Sequence, residues 1–156
     1  MKGSLDHGIG SFGTSIETIR RTLDGQCDYL SERRLPVLLS VVEHDQIQLE
    51  CSGFPYRGMK RFVELMFSDD ELDIIHIMGT EPDHNELRSA VIDECGEPTY
   101  SSTTVEYFGL HGVSLRTDPY EISFVSHRVR QQYEGYMRSL PSPPSHPQPA
   151  LDAANP

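Results

Sequence analysis

Two stretches of this chain open on nearly the same residues, and each is followed by short segments separated by tight turns. Gly13-Thr14-Ser15-Ile16-Glu17 begins one helical pattern and Gly79-Thr80-Glu81-Pro82-Asp83 begins another. In each, Thr is the expected N-cap, and the acid three residues on can reach back to an orphan backbone N–H. Pro82 suits a first turn, where its missing N–H costs no helical hydrogen bond. The first helix shows Ile16, Ile19 and Leu23 on one face and stops near Gly25. The second shows Leu87, Val91 and Cys95 on one face and stops at Gly96, with Pro98 barring continuation.

Strand patterns follow both helices. Residues 36–42, 46–51, 60–67 and 72–78 follow the first, and 103–108, 113–116 and 121–125 follow the second. Connections such as Ser68-Asp69-Asp70 and Leu110-His111-Gly112 are too short for crossovers, so neighbouring strands pair as antiparallel hairpins. Val129, Tyr133 and Tyr136 or Met137 mark a C-terminal amphipathic helix over 128–138. The order α-β-β-β-β-α-β-β-β-α predicts an α+β layer architecture, an antiparallel sheet or sheets with helices on one face. It is consistent with a tandem duplication of a helix-plus-meander unit, α-β-β-β in outline, over residues 13–78 and 79–126.

A capped helix opened by Gly-Thr and closed at Gly, then a small antiparallel meander, the whole repeated once, resembles the tandem helix-and-sheet units of the beta-lactamase inhibitor protein and of small bacterial assembly lipoproteins. The stretch from Gly96-Glu97-Pro98-Thr99 through Leu115-Arg116-Thr117-Asp118-Pro119-Tyr120-Glu121-Ile122-Ser123-Phe124 is also similar to uncharacterised bacterial proteins. The resemblance implies a non-catalytic binding scaffold and assigns no residue a role. The lipobox cysteine of the lipoproteins has no counterpart here.

With 156 residues and 37% hydrophobic content the chain can bury one core, expected over residues 10–138. Residues 1–9 read as a flexible leader. In residues 139–156, six of the eleven prolines crowd a stretch with almost nothing apolar to bury, so a disordered tail is expected there. Cys27, Cys51 and Cys95 show no C-x-x-C pairing and leave an odd thiol if any two pair; they read as reduced core residues. Met1 to His7 lacks the apolar run of a signal peptide, and no stretch reaches the roughly 18 apolar residues of a membrane span. The expected location is cytoplasmic, or periplasmic if a signal peptide has been removed. The sequence is silent on oligomeric state.

Charge narrows the function classes. Between Glu64 and Glu97 stand eleven Asp and Glu against one Arg88, which accounts for ten of the eleven net negative charges. Such a band favours basic partners and disfavours phosphate backbones and anionic membranes, so neither nucleic acid nor membrane is an expected partner. On the second helix Asp83, Glu86, Asp93 and Glu97 project nearly opposite Leu87, Val91 and Cys95, and Asp69, Asp70 and Glu71 extend the field from a turn. A loop carrying Phe54, Tyr56 and Arg57 offers interface anchors; equally, its rings can pack over a sheet edge. Asp69, Asp70, Glu71, Glu86, Asp93, Glu97, Phe54, Tyr56 and Arg57 are therefore the candidate partner-binding residues.

The chemical motifs are weaker. His76 and His84 bracket Glu81 and Asp83 without zinc spacing, and the Asp-rich turn lacks the Gly and Glu of a calcium loop. There is no G-x-S-x-G elbow, no catalytic-thiol signature and no phosphate loop. No catalytic residue, metal site or cofactor is expected. The reading is a bacterial accessory protein, inhibitor or immunity-type, whose acidic surface engages a basic protein partner. The alternatives are a small hydrolase with a His and carboxylate site, which would need His76, His84 and acids gathered in a cleft, and a structural or assembly module.

Overall fold

The computed structural model describes residues 5–37, 39 and 42–140. Helix α1 (Ile16–Leu23) leads into β1 (Tyr29–Leu35), β2 (Gln46–Tyr56), β3 (Met59–Ser68) and β4 (Glu71–Met78). Helix α2 (Glu81–Cys95) leads into β5 (Tyr100–Ser101), β6 (Val105–Phe108), β7 (Val113–Thr117) and β8 (Tyr120–Val125). A 3-10 turn at His127–Val129 opens into α3 (Arg130–Ser139). All eight strands form one antiparallel sheet in the order β1-β2-β3-β4-β8-β7-β6-β5. Each half is a helix followed by a four-stranded meander, and the halves meet where β4 pairs with β8, Ile74 opposite Val125 through Met78 opposite Glu121.

Layering explains the burial. Ile19 and Leu23 of α1 and Leu87 and Val91 of α2 pack on one face of the sheet, against Leu49, Val63, Leu65, Ile75, Ile77, Leu115 and Ile122. Helix α3 lies on the opposite face, with Tyr133 and Met137 against Ile74, Val105, Tyr107 and Val125. Helices therefore flank both sides of the sheet. The central β4, covered on both faces, reads as a nearly continuous apolar run rather than an alternating one.

Several expectations are corrected. The first strand is Tyr29–Leu35, not 36–42; among the described residues of that stretch Val37 is exposed, Leu39 packs on the α3-side core and Val42 is buried. Residues 5–9 are no loose leader: Leu5 and Ile9 are 5% and 0% exposed, and Tyr56 Oη donates to the Leu5 carbonyl. Helix α1 is capped by Ser15, whose Oγ accepts from Thr18 N–H at 3.3 Å, because Gly13 and Thr14 are still bonded to Leu72 of β4. At α2 the expected capping box holds: the Asp83 carboxylate accepts from Thr80 N–H at 2.8 Å and Thr80 Oγ1 at 3.0 Å. The disordered tail expected over residues 139–156 starts too early, since Ser139 is the last residue of α3 and Leu140 packs against the α3-side core; residues 141–156 lie outside the described residues.

The cysteines are the largest chemical correction. Cys27 and Cys51, read as reduced, form a disulfide across 24 residues, and Cys95 is the free thiol. Two outcomes follow from these contacts. In the chain-entropy picture, closing a loop of that length stabilises by about 3 kcal/mol, so Cys27→Ser with Cys51→Ser should shift urea melts by about that amount, and reductant should do the same to the parent. Ser15→Ala should cost about 1 kcal/mol and Thr14→Ala much less; comparable losses at both positions would put the helix start one residue earlier.

Candidate functional site: the sheet face under the third helix and the acidic helix

Strand register lines up one polar row across the whole sheet. Ser31, Glu50, Glu64, His76, Ser123, Ser114, Tyr107 and Tyr100 stand opposite one another on β1, β2, β3, β4, β8, β7, β6 and β5 in turn. Directly opposed residues share a face, and this is the face that α3 covers. Tyr133 of α3 sits over its middle, its Oη 3.2 Å from Ser114 Oγ and its ring 6.3 Å from the His76 ring. Burial pushes the Tyr133 phenol up to about 12, so it stays protonated and available as a donor.

At the junction of the halves, Ser123 Oγ donates to Glu121 Oε1 at 2.9 Å, and His76 Nδ1 lies 2.7 Å from Ser123 Oγ and 3.3 Å from Glu121 Oε1. With the serine proton on Glu121, Nδ1 is the imidazole donor. Burial pushes Glu121 up, but the hydrogen bond and charge of His76 and the Ser123 hydroxyl outweigh it and hold the carboxyl below its ordinary value. Glu64 goes the other way: burial raises it, and Glu121 and Glu50 add to that against the pull of His76 and Arg33. No hydrogen bond or ion pair among the described residues engages the Glu64 carboxylate, whereas Glu50 takes Arg33 Nε at 3.1 Å and Gln48 Nε2 at 3.0 Å.

Histidine, carboxylates and a serine meet here, but the arrangement does not present a nucleophile. Ser123 is 0% exposed and its proton is committed to Glu121. His84 is not part of the cluster; it lies against Tyr120, ring centroids 5.4 Å apart, on the α2 side of the sheet. A hollow of about 160 Å³ beside it is lined by Arg88, Thr104, Glu106 and Thr117, and another of about 280 Å³ by His7, Glu94, Cys95 and His111. Both are smaller than the roughly 300 Å³ at which small-molecule pockets begin. Among the described residues no three His, Cys, Asp or Glu converge as metal ligands.

The acidic band is dispersed by folding. Asp69 accepts backbone N–H groups from Glu43, His44 and Asp45, and those from Glu43 and His44 chiefly hold its carboxyl below the usual value. Asp70 accepts from Ile16 N–H at 3.0 Å, at the start of α1. Glu71 and Asp73 both pair with Arg128, at 2.9 and 2.6 Å. Asp83 pairs with the buried Arg61, and Glu94 accepts from Leu5 N–H. What remains on the solvent side of α2 is Glu81, Glu86, Asp93 and Glu97. Arg57 reaches Glu86 at 3.5 Å, while Arg88 turns away to a bidentate pair with Glu106 at 2.6 and 3.0 Å. Phe54 and Tyr56, expected as exposed anchors, lie within β2 and are 2% and 3% exposed, packed in the core. The turn after them is two residues, Arg57 and Gly58, so period-2 burial extends through the whole stretch.

Sequence reasoning passed over the polar row because its members lie on eight strands and share no spacing; only the pairing register unites them. The exposed aromatics Tyr29 and Phe62 were missed for the same reason. No family model, curated protein or solved structure matches this chain.

The two perturbed carboxyls set opposite pH trends. Glu121, held low, contributes stability that is present above its unfolded value and lost as pH falls through the depressed one. Glu64, held high, contributes in the other sense, and its share is lost as pH rises through the raised value. Glu64→Gln should therefore match the parent in urea melts at about pH 4 and be the more stable at about pH 7.5. Equal stability at both would show that Glu64 ionises without penalty.

Proposed function

We propose that this protein is a non-catalytic binding protein whose acidic surface engages a basic protein partner, in the manner of an inhibitor or immunity protein. The observation that carries this reading is the outer face of α2, where Glu81, Glu86, Asp93 and Glu97 are exposed and Arg88, the helix's own base, is bound to Glu106 instead. An acid-rich face in a chain of net charge −11 attracts cationic surfaces over long range. The helix-plus-meander repeat supports a scaffold role, and the sealed environment of Ser123 speaks against the hydrolase reading. No described helix is long and apolar enough to cross a membrane. The Cys27–Cys51 disulfide favours an oxidising compartment over the cytoplasm expected from the sequence.

The test is affinity capture at low and moderate salt, with identification of the retained protein, followed by association kinetics. Exposed charges are screened beyond about 8 Å at physiological ionic strength, so association should slow steeply with salt. Reversing Glu86, Asp93 and Glu97 to Lys should slow it further while circular dichroism and melting match the parent, since these three residues are exposed and the Arg57–Glu86 pair is long at 3.5 Å. An unchanged association rate in the folded variant would leave the acidic face a solubility feature and remove this function.

A further inference from the structure

The face of the sheet under α3 is covered unevenly. Helix α3 packs over β4 and β6, and Tyr133 reaches β7, while Tyr29 of β1 and Phe62 of β3 are 67% and 36% exposed on the same face. Tyr29 stands opposite Ser52 of β2, and the bulge between Cys51 and Phe54 leaves Ser52 and Gly53 facing Phe62. The two rings thus rise from the strands flanking β2, about 10 Å apart at the backbone. Between them the floor is a serine and a glycine.

One end of this slot is closed by an ion pair and the other is acidic. At one end the Asp28 carboxylate meets Lys60 Nζ at 2.9 and 3.0 Å across β2 beside Gly53, where an added Cβ would come within 2.2 Å of Asp28 Oδ2. At the other, Glu50 and Glu64 stand directly opposite each other, an arrangement that repels. Glu50 is satisfied by Arg33 and Gln48, whereas Glu64 has no hydrogen-bonding or ion-pairing partner among the described residues. The row of Glu50 and Glu64 is two residues along the strand from Ser52, about 7 Å, the span of a four-carbon ammonium stem.

We propose that this slot receives one lysine or arginine side chain of the partner, its aliphatic stem between Tyr29 and Phe62 and its cationic head on the Glu64 carboxylate. The inference rests on the reading that the partner is a basic protein, and it names a contact on the face opposite α2. Aromatic faces hold both the stem and a neighbouring cation. An apolar anchor would fill the slot but further desolvate the Glu64 carboxylate, and an anion would be repelled by it, since Asp28 and Glu50 are already paired with Lys60 and Arg33.

Amide spectra of the isotope-labelled protein, titrated with tetra-arginine amide and with tetra-lysine amide at low salt, test it. Shifts are expected at Tyr29, Ser52, Phe62 and Glu64. Glu64→Gln should weaken binding about tenfold, as loss of a charged hydrogen-bond partner does. Tyr29→Ala, at an exposed position, should also weaken it, and supplies the result if the Gln variant fails to give a folded spectrum. The triple Lys variant of Glu86, Asp93 and Glu97 should retain the slot shifts. Shifts confined to α2 would overturn the slot and leave the acidic-face reading standing. Shifts at the slot that neither Glu64→Gln nor Tyr29→Ala reduces would overturn its assigned chemistry, and an unperturbed spectrum with both peptides would count against both readings.

Discussion

Within the sheet, the two four-stranded units are hydrogen-bonded to each other only where β4 runs against β8. That seam is apolar where it faces α1 and α2, with Ile75 and Ile77 beside Phe124 and Ile122. Two polar clamps interrupt it. Near one end Asp73 accepts from Ser126 Oγ and from Arg128 Nη2, both at 2.6 Å, which fixes where the chain leaves β8. Further along, His76, Glu121 and Ser123 close a triangle beneath Tyr133. Partly buried ion pairs offset their own desolvation only when further hydrogen bonds satisfy the remaining atoms, and both clamps meet that condition through a serine. The serines at 123 and 126 are thus the small residues that let charge sit at the junction.

Much of this fold was legible because hydrophobic period and turn chemistry agreed. Strands β3, β4, β7 and β8 and helix α2 fall within two residues of their expected bounds. The failures share a cause: tertiary contact overrode local pattern. Residues 29–35 read Tyr-Leu-Ser-Glu-Arg-Arg-Leu, too charged for a buried strand, yet an edge strand keeps one flank in water and tolerates charge. Pro-Val-Leu-Leu-Ser-Val-Val over 36–42 reads as the better strand, but Asp69 gathers the N–H groups of Glu43, His44 and Asp45 just beyond it. The disulfide was invisible because Cys27 meets Cys51 only after β1 folds back along β2, with Asp28 N–H bonded to the Ser52 carbonyl.

The acid band shows what a charge count in a sequence window omits. Carboxylates are also the acceptors a fold uses for stray backbone donors and for buried guanidinium groups. Asp69, Asp70 and Glu94 take backbone N–H groups, and Glu71, Asp73 and Asp83 take arginines. Six of the eleven acids therefore contribute to the architecture before any partner is considered. A seventh, Glu64, is drawn into the sheet with no hydrogen bond or ion pair among the described residues.

Glu64 and the outer acids of α2 lie on opposite faces of the sheet, and that separation divides any binding role between them. A partner seated between Tyr29 and Phe62 cannot at the same time cover the solvent side of α2, because the sheet and its α1–α2 core stand between. Charges left uncovered in the complex act through their field, which governs how fast a cationic surface arrives. Groups desolvated at the contact govern how slowly it leaves. Under the slot proposal the acidic helix would therefore act on association and the slot on dissociation. Glu64 would belong to the second kind: burial raises its carboxyl against the pull of His76 and Arg33, and a further cation brought to it would favour its ionised form.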